Sequence, residues 1–150
     1  MKIVFDIDGV LADPSHRLHY IQQEPKNWEM FFAECIRDAP IKAGVELFYT
    51  VERGSRYIGM ERYNDISLWT GRPERVRVHT KGWLAVNMYR ADSMPLIMRA
   101  DDDHRPDHEV KADFIKKHGK PDLVFEDRKS VVDMYRSHGI LVAHMAEGNF

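Results

Sequence analysis

The sequence predicts an α/β fold, a Rossmann-like parallel sheet flanked by helices, in a single domain spanning residues 1–150. Three observations carry that prediction. Five short apolar runs read as buried strands, helix-patterned stretches with clear stop signals separate the later ones, and polar residues collect directly after several of the runs. Strand and helix alternating along a chain build a right-handed α/β sheet, and such sheets bind ligands beyond the carboxyl ends of their strands.

The first run, Lys2 to Phe5, leads straight into Asp6-Ile7-Asp8-Gly9. Side chains two apart on a strand share a face, so the two carboxylates approach each other at its end. Like charges that close need a cation or a shared proton to offset them, which points to metal-assisted chemistry. The plainer alternative is a strand-ending turn, for which Asp-Gly is an ordinary dipeptide.

Residues 14–40 form the next segment. Their pattern is helical from about His16 to Arg37, with Trp28, Phe31, Phe32, Cys35 and Ile36 spaced as on a helix. This segment is a small helical insertion after the first strand, and it either caps a site or packs on the sheet edge. Trp28 and Phe31 are candidates for stacking on a base, with core packing the plainer reading. Ala43 to Arg53 then reads as the first crossover helix.

The remaining strands are expected at Asp65 to Trp69, Pro95 to Met98, Asp122 to Phe125 and Ile140 to His144. Pro73 suits a first helical turn, and Glu74 to Met88 can follow as helix, with Gly82 a weak point costing about 1 kcal/mol against alanine. Asp107 can cap a helix that stops at Gly119-Lys120-Pro121. Arg128 to His138 is a third helix, closed by Gly139.

Charge and cysteine usage narrow the function. A net charge of -2 argues against gripping long nucleic acid by electrostatics, though not against touching a strand end. The lone cysteine, Cys35, allows no internal disulfide and fits a reducing compartment, with a packed core position favoured over a reactive thiol. No signal region or membrane-length apolar window is seen, so a cytoplasmic protein without a membrane partner is expected.

Chemistry emerges from the strand ends: Asp6 and Asp8, then Thr70-Gly71-Arg72, then Glu126-Asp127-Arg128. Lys111 lies in line with Phe114 and Ile115, which turns an ammonium group toward the apolar side of its helix. Each type suits phosphoryl transfer. A carboxylate can attack phosphorus, and a second can move protons. A hydroxyl and a lysine can hold the transferring oxygens, and further carboxylates can bind Mg2+.

In their order, Asp-x-Asp-Gly, Thr, Lys and an acidic pair, these residues resemble the haloacid dehalogenase superfamily of aspartate-nucleophile phosphotransferases. The resemblance implies that Asp6 is the nucleophile, Asp8 the general acid/base, and Thr70 and Lys111 the phosphate-binding motifs. It also implies an Mg2+ site built from Asp6, Asp8 and Asp127, with Glu126 beside them.

Further features narrow it: Arg17, TGRPE, Thr80, Trp83-Leu84, Met98-Arg99, HRPDHEVK, EDRKSVVDMYRSHG and the closing GNF. Together they resemble the 3'-phosphatase domain of bacteriophage polynucleotide kinase-phosphatase. That resemblance implies that Arg17, Gly71, Arg72 and Asp107 serve the substrate. It further implies DNA or RNA 3' ends as substrate, a 2',3'-cyclic phosphate as an additional one, and a repair role in a host cytoplasm.

Two departures stand out. Glu126-Asp127-Arg128 replaces the family's usual Asp-Asp-Arg, and GNF replaces GDF. No glycine is followed by Lys-Ser or Lys-Thr, so this chain is not expected to phosphorylate 5' ends by itself, and a separate kinase or ligase is a candidate partner. The alternatives are a small-molecule phosphatase such as a nucleotidase, and a weakly catalytic end-binding subunit.

Other candidates have plainer readings. Asp101 to Glu109 holds five acids with His104 and His108, which reads as a solvated loop better than as a zinc or calcium site. Arg72, Arg75, Arg77 and Lys81 form a basic face for a strand-end backbone or for solvent. Asp133 either joins the metal's surroundings or lies on the exposed side of its helix.

Overall fold

The computed structural model describes residues 1–54 and 64–147; the closing GNF lies outside the described residues. A five-stranded sheet of β1 (Lys2–Phe5), β4 (Asp65–Pro73), β5 (Leu96–Arg99), β6 (Leu123–Glu126) and β7 (Leu141–His144) is parallel throughout. Its strand order is β5-β4-β1-β6-β7. The chain builds outward on one side of β1, then returns to build on the other. The switch point, where such sheets bind ligands, therefore falls at the carboxyl end of β1, between β4 and β6.

Alternation within the strands makes two cores. Ile3 and Phe5 face a cluster containing Phe48 of α3 (Lys42–Gly54) and Trp83 and Leu84 of α4 (Arg77–Asn87). Val4 faces the opposite cluster, with Val110 and Phe114 of α5 (Asp107–His118) and Val131 and Tyr135 of α6 (Lys129–Ser137). Phe5 stacks on Phe125 at 4.2 Å and meets Phe48 edge-on at 5.2 Å. Full burial of one such side chain contributes roughly 1.5–3 kcal/mol, so the strand carrying Asp6 and Asp8 is held firmly.

Three expectations shift. β4 continues past Trp69 to Pro73, and its register with β5 jumps between Thr70 and Pro73, so Gly71 and Arg72 bulge out of the ladder. The helix expected from Glu74 begins as a 3₁₀ turn at Glu74–Val76 and becomes α-helical only at α4. Pro106, not Asp107, is the cap residue of α5; Asp107 is its first residue, and its carboxylate bonds Arg99 and Lys111 instead of the helix's own N–H groups.

The insertion is more broken than a single helix. It contains a turn at Ser15–Arg17, α1 (His19–Gln22), α2 (Trp28–Ala33) and a turn at Glu34–Arg37. Two short strands, β2 (Ala12–Asp13) and β3 (Ala39–Pro40), pair antiparallel and close its base. That pair escapes a pattern search because each strand has only two residues. Among the described residues no helix is long and apolar enough to cross a membrane.

Candidate active site

After β1 the chain turns sharply: Leu11 and Ala12 N–H both donate to the Ile7 carbonyl, and Gly9 N–H donates to that of Ala12. Gly9 takes φ +78°. A Cβ there would fall 2.0 Å from Asp127 Oδ2, so glycine is required both by backbone and by the approaching carboxylate. The turn sends Asp6 and Asp8 into different surroundings.

Asp6 enters an acidic cluster. Lys111, fully buried, sits 3.0 Å from Asp6 Oδ2, 3.2 Å from Asp107 Oδ2 and 2.8 Å from Glu126 Oε2. Burial alone would discharge this ammonium, but Asp107, Asp6 and Glu126 outweigh it and hold its pKa well above the usual lysine value. Asp107 is also held at 3.0 Å by Arg99, whose Nε donates to the Gly71 carbonyl. Despite burial, Lys111, Arg128 and Arg99 keep the Asp107 pKa low. Its approach to Gly71 is so close that a Cβ there would meet Asp107 Oδ1 at 2.3 Å.

The remaining acids are short of cations. Burial and Glu126 raise the Asp6 pKa well above the ordinary range, although Lys111 opposes them. Glu126 is raised by burial and Asp107. Asp127 is pushed up to about 6 by burial and by Asp6. Asp6 Oδ1 and Asp127 Oδ2 are both buried with no hydrogen-bond partner. Oxygens of Asp6, Glu126 and Asp127 lie within 4.8 Å of one another, as a cation's ligands would. These residues fit a small divalent ion. Asp6 and Asp127, each with a buried oxygen left unbonded, would be its direct ligands. Glu126 sits behind them, its Oε1 accepting from the Asp127 and Arg128 N–H groups at 3.1 Å and its Oε2 held by Lys111.

Asp8 is placed apart from this cluster. Its carboxylate is clamped by Arg17 Nη2 at 2.7 Å and by Arg72 Nη2 at 2.5 Å. Burial pushes its pKa up, but Arg72 and Arg17 win and hold it well below the carboxylate range. Both arginines also bind Asp38, at 2.7 Å each. Phe31 closes the clamp from the insertion: Arg17 lies over its ring at 4.2 Å and donates to its carbonyl.

Thr70 is fully buried at the end of β4, its hydroxyl accepting from Arg72 N–H at 3.2 Å. The structure therefore brings Asp6, Lys111, Asp107, Glu126 and Asp127 into one group, with Gly71 against Asp107. Asp8, Arg17 and Arg72 make a second.

Several plainer readings resolve. Arg72 belongs to no surface face: it is completely buried, and Arg77 pairs with Glu74 instead. Asp133 is exposed and bonded to Lys129. Among the described residues His104 and His108 join no metal-ligating cluster. Cys35 is buried, and burial raises its pKa, as expected for a packed thiol. Asp38 was not foreseen; it stands in an unpatterned stretch before Ala39-Pro40, and nothing in the sequence ties it to Arg17 or Arg72.

A cavity of about 530 Å³ opens over both groups, reached by Asp6, Asp8, Asp107, Asp127 and Arg128. Its lining also takes in Trp28, Phe31 and Phe32 of α2 together with Arg75, Arg99 and Arg105. That size suits a small ligand or the end of a larger one.

A parallel sheet with an aspartate pair at its switch point, a buried lysine and a terminal acidic pair defines a phosphatase of the haloacid dehalogenase class. The chain belongs, more narrowly, to the polynucleotide kinase PNKP phosphatase domain family, whose sequence profile matches residues 1–150.

Solved structures agree on the fold. A chain of a Pnkp1/Rnl/Hen1 complex superposes with TM-score 0.76 at 22% identity, covering 99% of this chain and 47% of that one. The protein thus spans less than half the length of that relative. A class C acid phosphatase of Bacillus anthracis, with tungstate bound, gives 0.64 at 17% identity, covering 99% and 67%. A haloacid dehalogenase-like hydrolase of Streptococcus pneumoniae gives 0.56 at 14% identity, covering 95% and 83%. Among proteins with curated descriptions, none matches the chain at a significant level.

Proposed function

We propose that the protein is an Mg2+-dependent phosphatase that removes 3'-phosphate groups from nucleic-acid ends through an aspartyl-phosphate. The observation that carries this reading is the pair of buried, partnerless carboxylate oxygens, Asp6 Oδ1 and Asp127 Oδ2, under a ligand-sized cavity. Asp6 attacks phosphorus, an oxygen–phosphorus bond forms, and the bond to the 3'-oxygen breaks. Asp8 delivers the proton that the departing oxygen needs. Water then attacks the phosphoryl group, Asp8 takes its proton, and Asp6 is released with inorganic phosphate.

Lys111 and Thr70 hold the transferring oxygens, whose charge spreads in the transition state. Mg2+ bound by Asp6 and Asp127 would supply positive charge between the nucleophile and the incoming phosphate. The arginine clamp holds Asp8 as a carboxylate, the form needed to activate water. For the acid step Asp8 has to gain a proton against Arg17 and Arg72, which makes proton delivery the demanding half of its role.

Family membership supports a polynucleotide end as substrate. The likeness to a chain described within an RNA repair complex supports RNA ends alongside DNA, and a separate ligase or kinase as partner. The test is phosphate release from a 3'-phosphorylated oligonucleotide with Mg2+, comparing native protein with Asp6→Asn and adding a 3'-mononucleotide as competitor. Asp6-dependent release that the mononucleotide barely inhibits is expected. Turnover of small phosphate esters alone would replace the substrate with a small molecule and keep the mechanism.

A further inference from the structure

We propose that Trp28 and Arg75 form a strand-end subsite: Trp28 stacks on the terminal nucleobase, and Arg75 pairs with the phosphodiester next to it. This inference rests on the polynucleotide-end reading above and deepens it.

Trp28 is the first residue of α2, and Asn27 fixes that helix start by accepting from Met30 N–H at 3.0 Å. Its indole is braced by Phe31 edge-on at 5.8 Å and by Phe32 stacked at 5.9 Å. Phe31 is 4% exposed and Trp28 47%, so one aromatic of the pair is core and the other presents its surface to the cavity that holds Asp6. A large aromatic left half open but held in place is a stacking platform, because it gives up little conformational freedom when a base lands on it.

Arg75 supplies the charge complement. Its guanidinium lies 5.7 Å over the Phe32 ring, on the same aromatic wall, and it pairs loosely with Asp101, at 3.7 Å. It is exposed, in contrast to Arg17 and Arg72, which are sealed on Asp8 and Asp38. One cavity is thus lined by Asp6 and Asp127, by Trp28 and by Arg75, the three kinds of group that a terminal phosphate, its base and the next phosphodiester would meet. Base faces are common to DNA and RNA, so this subsite senses an end bearing a base without choosing between the two.

The experiment compares two oligonucleotides of one sequence, both 3'-phosphorylated, one ending in a normal nucleotide and one in an abasic residue. Native protein is expected to prefer the base-bearing end in kcat/KM by roughly 5- to 150-fold, the range of one stacked base. In Trp28→Ala that preference collapses toward one; in Trp28→Phe most of it survives. Arg75→Ala weakens the salt dependence of KM on both ends.

Intrinsic fluorescence gives a second readout in inactive Asp6→Asn protein. Trp69 and Trp83 are each 1% exposed, so quenching on adding the base-bearing oligonucleotide reports on Trp28. An equal preference in native and Trp28→Ala protein, or no quenching difference between the two oligonucleotides, overturns the subsite. Absence of release from both ends by native protein overturns the parent reading instead, and the fluorescence arm still decides the subsite.

Discussion

The two halves of the site use the same kinds of groups in opposite balance. Around Asp8, two carboxylates, Asp8 and Asp38, meet two arginines, and the charges cancel. Around Asp6, four carboxylates, Asp6, Asp107, Glu126 and Asp127, share Lys111, with Arg99 at the outer edge of Asp107 and Arg128 near Asp107 and Asp127. The first half is complete as a piece of protein; the second is short of positive charge. The clamp contributes order and stability, whereas the acidic cluster gives up stability and leaves carboxylates that a bound cation would neutralise.

The largest expected effect is on turnover. Asp6→Asn removes the proposed nucleophile and should lower phosphate release by at least about 10³-fold, measured under single-turnover conditions. The same change relieves repulsion, so the metal-free variant should melt no lower than the native protein. A melting temperature several degrees below native would break the comparison.

Next comes the clamp. Asp38→Ala leaves Arg17 and Arg72 buried with one carboxylate between them, and breaking a buried pair costs about 3–5 kcal/mol. Urea denaturation of Asp38→Ala should show a loss of that order. A loss under about 1 kcal/mol would mean that the clamp is not what holds this half together.

Metal binding should act on the other half alone. Saturating Mg2+ raises stability by about 2.7 kcal/mol at a hundredfold excess over its Kd. The thermal shift should vanish in Asp127→Asn and persist in Asp38→Ala if that variant folds, or otherwise in the milder Asp38→Asn. A full shift in Asp127→Asn would remove that residue from the ion's ligands.

Acid and base pull the halves in opposite directions. Asp127, raised from 3.8 to about 6 in the folded protein, contributes stability below pH 3.8 that is lost as pH rises through about 6. Asp8, depressed by the arginines, contributes stability above its ordinary range that drains as pH falls below it. Metal-free Asp127→Asn should therefore gain on native protein as pH climbs from 3.8 to about 6, and Mg2+ should abolish that gap. A gap that is constant with pH would show that Asp127 does not titrate in this window. The smallest effect is expected for Glu126→Asp, which shortens the arm reaching Lys111 and should change the rate by less than about tenfold, since Glu126 stands behind the two free oxygens.

Particular residues show how far a sequence reaches. Asp6, Asp8, Thr70, Lys111 and Asp127 were legible because each sits beside a local signal: a strand end, a turn glycine, or an apolar helix face. The partition of Asp6 and Asp8 was not, since residues two apart on a strand suggest one shared site. The tight turn at Gly9 and the arginines arriving from Ser15–Arg17 and the β4 bulge split them. Asp38 was invisible because its partners lie 21 and 34 positions away.

Strand periodicity, helix stops and the spacing of acids after apolar runs are local, and they pointed to the parallel α/β fold, the sheet's polar edge and the candidate site residues. Tertiary structure decided which carboxylates are neutralised by arginine and which are left unbonded, and which aromatic of the insertion is buried and which is half exposed. Charge balance and exposure are sums over neighbours that only folding brings within a few ångströms, and no local pattern in a chain encodes that sum.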